Sequence, residues 1–397
     1  MRRSDIEALG DLAGDALVGV GAVVRDMHSA ISRRPFEALG EPAEPVRLVH
    51  DGIAVAVHGG VRIGLRAAAR GGARAAALGA DPDAPPLAAG RRGSIALGAL
   101  NGLYGDRLRR RGNGLALGLS VRRDGAVVAL TPAALASAFP GGGPRVAVFV
   151  HGLGETDEAW RAGSREGFGE RLRRDLGFVP VHVRYNTGLP VADNGRTLAG
   201  VLADLVAGWP GAVDELALVG HSMGGLVVRD ACRCADRAGA RWVTAVSLVA
   251  SLGAPHRGAD LEKATYALAL ALRLAPETRP LQRVLDARSA GIKNLRHGTG
   301  GAVGGGERDR FVAATIRRGP VGALVGDLLV RTSSASGGLP EGRELSGLHH
   351  FDLLGHPAVY EQLRDWLSRE RPAPTRTRSG RTRARRSSRP GPSAGSA

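Results

Sequence analysis

Apolar positions along this chain fall into two textures. From residue 1 to about 110 they recur at helical spacing, around Leu17 to Ile31 and again around Ile53 to Leu78, in a background of Ala, Gly, Val and Arg. The spacing predicts a helical N-terminal region over 1–110, peripheral to the main domain. Its mild amphipathicity suits helices packed on that domain better than helices lying in a lipid surface. At Leu115 the texture changes. Leu115 to Val121 and Ala126 to Leu130 flank Arg123-Asp124-Gly125, and the Asp-Gly pair supplies the positive-φ positions of a hairpin turn. Beyond it, short apolar runs alternate with helical stretches. Strands are predicted at Arg145 to Val150, Val179 to Tyr185, Glu215 to Val219, Trp242 to Ala250 and Arg310 to Ile316, with helices such as Arg165 to Leu176 and Arg196 to Trp209 between them. That order is the pattern of an α/β domain, over 111–370, with a mainly parallel sheet and helices on both faces. The long excursion 258–306, with Leu261 to Leu274 and the glycine run Gly298 to Gly301, reads as a helical lid over the sheet edge.

Charge changes the picture at one end only. The formal net charge is +16, and Arg371 to Ala397 contain eight Arg and no acid, so half of the excess sits in the last segment. A segment of Arg, Pro, Ser and Thr buries too little to offset its ordering entropy, so 371–397 is expected to be a disordered, solvated tail. Peripheral contact with nucleic acid or an anionic membrane is its alternative role. The two cysteines, Cys232 and Cys234, lie two apart on a predicted helix and point to nearly opposite sides. They do not staple a secreted domain, and a reducing compartment is the expectation. Asp5, Glu7, Asp11 and Asp15 interrupt any apolar leader, and no uncharged run reaches the roughly 18 residues of a membrane span. A cytoplasmic location is therefore expected.

The chemistry concentrates at Gly220-His221-Ser222-Met223-Gly224. A chain with 59 Gly in 397 residues meets a G-x-S-x-G pattern by accident, so the flanks decide. Here an apolar strand precedes the motif and a helix follows it, the setting in which the serine of a strained strand-to-helix turn becomes a nucleophile. Ser222 then needs a base and an acid from loops that return to the carboxyl edge of the sheet. Asp327, after the last predicted strand, and His350, before the terminal helix, give the order Ser, Asp, His. His349 is the other candidate base; Glu341, Glu344 and Asp352 are the other acids; His356 reads as structural. Two backbone N–H groups should face the developing oxyanion: that of Met223 at the helix start, and that of Leu153 in the glycine-bearing turn after Phe149-Val150-His151. His151 and His256 read as loop-shaping residues. Arg184 to Gly188 ends a strand on the same edge and reads equally as pocket lining or as solvent-facing loop. No cluster of Cys and His has metal-ligand spacing, and the chemistry calls for no metal or organic cofactor.

Four blocks carry a family resemblance: Phe149-Val150-His151-Gly152-Leu153-Gly154, Gly220-His221-Ser222-Met223-Gly224-Gly225, Leu252-Gly253-Ala254-Pro255-His256-Arg257-Gly258 and His350-Phe351-Asp352-Leu353-Leu354. In this order they resemble the bacterial triacylglycerol lipase and esterase branch of the α/β-hydrolases, a branch itself similar to the enzymes that deacylate the inositol of GPI anchors. The resemblance covers about half the chain and leaves out 1–110 and the tail. It implies an α/β-hydrolase fold, Ser222 as nucleophile, His350 as base, Asp327 as acid, Leu153 and Met223 as oxyanion donors, and a mobile lid after Gly258. The family's usual Asp-Gly pair appears here as Asp327-Leu328, which keeps the other acids in play. Lipases of this type can hold calcium at the position of Asp352, but the several oxygen ligands such a site needs are not assembled around it, and hydrogen bonding is the role expected there. The function implied is cleavage of carboxylic esters through an acyl-enzyme, and Leu268, Leu270, Leu272 and Leu274 suit an apolar acyl chain, hence an ester or lipid substrate. An acyltransferase on the same scaffold, or a non-catalytic binding protein using the basic tail, are the alternatives.

Overall fold

The computed structural model describes residues 1–81, 83–161, 166–259, 288–296, 308–317, 327, 329–339 and 341–369. The chain opens with two long helices, α1 (Arg3–Leu39) and α2 (Glu44–Leu78), paired as a hairpin, and then α3 (Arg91–Arg110). The strands β1 (Ser120–Arg123) and β2 (Ala126–Val128) follow, then α4 (Pro132–Ala138). Next come β3 (Arg145–Val150), α5 (Phe168–Leu176), β4 (Val179–Arg184) and α6 (Val191–Gly208). The second half holds β5 (Glu215–His221), α7 (Met223–Arg237), β6 (Val246–Leu252), α8 (Ala290–Asn294), β7 (Asp309–Thr315), α9 (Thr332–Ser336), β8 (Glu341–Ser346) and α10 (Pro357–Ser368). Among the described residues, no helix is long and apolar enough to cross a membrane.

Among the described residues the sheet has eight strands in the order β2-β1-β4-β3-β5-β6-β7-β8. β1 runs antiparallel to both β2 and β4, and every other pairing is parallel. Burial on both faces explains why the central strands read as unbroken apolar runs. Successive side chains split between the faces: Val146, Val148 and Val150 of β3 join a core with α6 and α7, whereas Ala147 and Phe149 join a second core with α5 and α10. Helices therefore cover both faces, as the alternation of elements predicts.

Several boundaries differ from the expected ones, each for a physical reason. The hairpin turns at Asp124 (φ 48°) and Gly125 (φ 81°) as expected, but its first strand starts at Ser120 rather than Leu115. Leu115 packs instead with Leu97 and Leu108 of α3. Residues Arg241–Ala245 form a 3-10 turn, so the strand expected from Trp242 begins at Val246. β8 escaped the sequence pattern altogether. Among the described residues it pairs with β7 alone, at the sheet edge, and its sequence Glu-Gly-Arg-Glu-Leu-Ser is mostly exposed, so no apolar alternation marks it. Most of the expected lid, including Leu268 to Leu274 and Gly298 to Gly301, and the whole tail lie outside the described residues.

Candidate active site

Ser222 stands between β5 and α7 with φ 51° and ψ −123°, a conformation that L residues rarely adopt. Two close approaches fix the glycines around it. A Cβ on Gly220 would lie 2.4 Å from the Gly225 nitrogen, and one on Gly224 would lie 2.2 Å from the Val150 carbonyl oxygen. The turn is thus pressed against the end of β3, and neither position has room for a side chain. Ser222 itself is half-buried, and its N–H donates to the Leu252 carbonyl at the end of β6 (2.8 Å).

Asp327 and His350 meet behind this turn. Both are buried, and His350 Nδ1 lies 2.7 Å from Asp327 Oδ2. The other carboxylate oxygen accepts the N–H groups of Leu329 (3.0 Å) and Val330 (2.8 Å), which fixes its orientation. The His350 ring lies beside Gly253, one residue past β6, where a Cβ would come 3.2 Å from His350 Cε1. Ser222, Asp327 and His350 therefore gather at the carboxyl edge of β5 to β8, the edge where open α/β sheets hold their sites.

The competing residues lie elsewhere. His349 is exposed and its side chain pairs with Asp352 (3.2 Å), whose carboxylate also accepts the His349 N–H (2.9 Å) as a cap of the next turn. Glu341 faces Arg310 (2.9 Å) and Arg369 (3.0 Å) on the edge strand. Glu344 lies exposed on the same strand. His356 caps α10 by accepting the Ala358 N–H (3.2 Å). Buried His256 contacts Arg229 (2.8 Å), and burial, aided by that guanidinium, pushes it down to about 3. Cys232 and Cys234 are both free thiols on α7, and burial pushes Cys232 up to about 12. Among the described residues, no group of three His, Cys, Asp or Glu is placed to hold a metal.

The loop after β3 lies directly against the serine turn. A Cβ on Gly152 would be 3.0 Å from Ser222 Cβ. Leu153 is half-buried in this loop, and Met223 is the buried first residue of α7. The N–H groups of a helix's first turn have no intrahelical partner, so the Met223 N–H is directed out of the helix end. His151 anchors the loop: its ring stacks on Tyr185 (4.5 Å between centroids), accepts the Tyr185 N–H at Nε2 (3.3 Å) and lies 3.0 Å from the Gly152 carbonyl through Nδ1. Burial holds this histidine below its ordinary value, in keeping with a neutral ring that donates once and accepts once.

Two features here carried no signal in the sequence reading. Glu155 accepts the Gly152 N–H (2.6 Å) and faces His221 Nδ1 (3.1 Å), and His221 Nε2 reaches the His350 carbonyl (3.2 Å). The three residues span 155 to 350, so only the fold brings them together. The second feature is α3. A Cβ on Gly98 would meet the Glu155 carbonyl oxygen at 2.7 Å, one on Gly102 the Gly154 Cα at 2.9 Å, and one on Gly105 the Asn186 Oδ1 at 1.9 Å. This helix backs the loop rather than sitting apart from it. The segment Arg184 to Gly188 is not solvent-facing: it is buried beneath α3, with Asn186 donating to the Gly105 carbonyl (3.0 Å), Arg184 paired with Asp157, and Thr187 Oγ1 accepting the Gly154 N–H (3.0 Å).

Sheet order, nucleophile turn and the chain order Ser, Asp, His together define an α/β-hydrolase fold with a candidate serine site. No protein-family model matches the chain, and no curated protein matches it. Solved structures do. The chain is similar to a lipase of Bacillus licheniformis in its propeptide form, at 19% identity over 57% of this chain and 51% of that one, with a TM-score of 0.44. It thus spans about half the length of that relative. It is also similar to the RedJ thioesterase of the prodiginine biosynthetic pathway of Streptomyces coelicolor, at 20% identity over 57% of this chain and 91% of that one, TM-score 0.35. A lipase-esterase related protein of Clostridium acetobutylicum matches at 15% identity over 56% and 94% of the two chains, TM-score 0.35.

Proposed function

We propose that this chain is a serine hydrolase that cleaves carboxylic esters. The observation that carries the reading is the meeting, at one sheet edge, of a strained Ser222 turn with the buried Asp327–His350 hydrogen bond. A serine held at φ 51° costs stability and is retained where its hydroxyl must be presented. In this reading His350 Nε2 takes the hydroxyl proton as Ser222 Oγ attacks the ester carbonyl. The carbonyl oxygen becomes an oxyanion held by the Leu153 and Met223 N–H groups, each donor contributing about 3 kcal/mol to the transition state. The intermediate collapses as His350 returns the proton to the departing alcohol, leaving an acyl-serine. Water then attacks with His350 again as base, and the acid leaves. Asp327 keeps the imidazole in the tautomer with its proton on Nδ1 and stabilises the imidazolium.

The substrate class proposed is an ester with an apolar acyl chain, on the strength of Leu268, Leu270, Leu272 and Leu274 in the sequence between β6 and β7. Hydrolysis of p-nitrophenyl esters of graded chain length tests both parts. Ser222→Ala is expected to remove turnover while the thermal unfolding transition stays; retained turnover would sink the assignment.

A further inference from the structure

His221 occupies the position before the nucleophile, its side chain fully buried. Its two ring nitrogens face a backbone carbonyl, which can only accept, and a carboxyl group, which can only accept once ionised. Nδ1 lies 3.1 Å from both carboxylate oxygens of Glu155, and Nε2 lies 3.2 Å from the backbone carbonyl oxygen of His350. A neutral imidazole carries one N–H and can serve only one of them; the imidazolium carries two and serves both. The partners are placed to matter. Glu155 Oε2 also accepts the Gly152 N–H (2.6 Å) of the loop that lies against Ser222. The His350 carbonyl belongs to the residue whose ring meets Asp327.

We propose that His221 is a standing imidazolium clamped by Glu155, and that this pair is the positioning device that ties the Gly152–Glu155 loop and the His350 loop to the nucleophile turn. The inference rests on the reading of Ser222 as nucleophile. Neither residue touches substrate; they act through Leu153 and His350, whose placement they fix. A charged pair suits this task because a hydrogen bond between ionised partners is about twice as strong as a neutral one. The surroundings agree on the protonation state. Burial favours the neutral ring, but the Glu155 carboxylate, helped by the His350 carbonyl and by Asp327, outweighs it and holds His221 above its ordinary value. Burial likewise opposes the charge on Glu155, yet His221 and the Gly152 N–H hold it below the usual carboxylate range. Three aromatic rings lie near the His221 ring: His350 at 4.8 Å, Phe351 at 6.3 Å and Trp160, edge-on, at 6.5 Å between centroids.

The pH consequence has a definite sign. The raised value of His221 contributes stability in full below its unfolded value of 6.5, and this is lost as pH rises through the folded one. The lowered value of Glu155 contributes above its unfolded 4.5 and is lost as pH falls through the folded one. Between those limits the clamp is intact. At higher pH the ring keeps one proton and must release either Glu155 or the His350 carbonyl, so kcat should fall on the alkaline side.

Two measurements on the full chain test this. In 15N-imidazole NMR, with His221→Gln identifying the resonances, His221 should remain doubly protonated at pH 7, where an ordinary histidine is mostly neutral. A neutral ring there overturns the proposal, and this result needs neither a folded Glu155 variant nor any activity. Kinetics form the second arm. Glu155→Gln keeps an acceptor for the Gly152 N–H but removes the charge. With rates expressed per Ser222 labelled by a fluorophosphonate, kcat should drop on the order of 10–100-fold at nearly constant KM, and its alkaline limb should move to lower pH. An unchanged kcat and limb per labelled serine would show a merely structural pair and overturn the positioning role. If Ser222 takes no label and Ser222→Ala keeps turnover, the hydrolase reading fails and the positioning role falls with it. A neutral His221 in a protein whose Ser222 does label overturns the clamp alone.

Discussion

The two longest helices of this protein and the helix behind its candidate nucleophile obey the same local rules with opposite outcomes. Of the 37 residues of α1 only Ala8, Gly10 and Gly14 are buried, and of the 35 of α2 only Ala77. In α7, 11 of 15 residues are buried, Arg229 and Asp230 among them. The hairpin is held at its base by small-residue contact and ion pairs: Gly10 approaches so closely that a Cβ would lie 2.1 Å from the Ala73 Cβ, and Asp11 and Asp15 pair with Arg70 (2.6 Å) and Arg66 (3.0 Å). Its apolar residues are left outside, Val55 at 70% exposure and Ile63 at 68%. Helical periodicity reports that a helix forms; whether its apolar face finds a partner depends on the fold. α3 shows the intermediate case, since by sequence it belongs with the hairpin, yet its glycines meet the loop beside Ser222.

That contrast can be broken or sharpened by substitution. The largest effect is expected at the site: Asp327→Asn should lower kcat about 10⁴-fold, because the wrong tautomer of His350 is then held, while the melting temperature changes little. Gly224→Ala comes next. Its methyl would meet the Val150 carbonyl, and a loss of about 3 kcal/mol in denaturant unfolding is expected, with activity lost alongside. Gly105→Ala tests whether α3 belongs with the site. Its methyl would collide with the Asn186 side chain, so a destabilisation of about 1–2 kcal/mol and a reduced kcat are predicted; unchanged turnover would return α3 to the periphery. Smallest is Val55→Ala on the hairpin, for which unfolding should shift by no more than about 0.5 kcal/mol. Acid sharpens the comparison further. His256 and His182, buried in the sheet domain and pushed down to about 3 and about 4, must take up protons to unfold. Depressed histidines stabilise above their unfolded value and lose this as pH falls, so the sheet domain should weaken from about pH 6.5 downward. In the hairpin no such buried histidine is found.

The sheet was legible because strands buried on both faces leave uninterrupted apolar runs, and the turn at Ser222 because its glycines answer to steric contacts within a few residues. β8 was not, since an edge strand solvates its charged residues and shows no period. The choice of His350 over His349 needed the fold: adjacent residues on a loop differ only in which one points at Asp327. Glu155 and His221 were illegible for another reason. Their relation is a contact between residues 66 apart, and neither stands out from its own neighbourhood. Gly98, Gly102 and Gly105 look like helix weakeners in the sequence; only the loop backbone against the first two and the Asn186 side chain against the third show why they are small.

The central claim is that Ser222 is the nucleophile and that Asp327 and His350 activate it. Peptide mapping by mass spectrometry after fluorophosphonate treatment tests it most directly. The account predicts a single phosphonyl adduct on Ser222, formed rapidly in the unaltered protein and slowly in His350→Ala and Asp327→Asn. An adduct on another residue, or equal labelling rates in all three proteins, would contradict it.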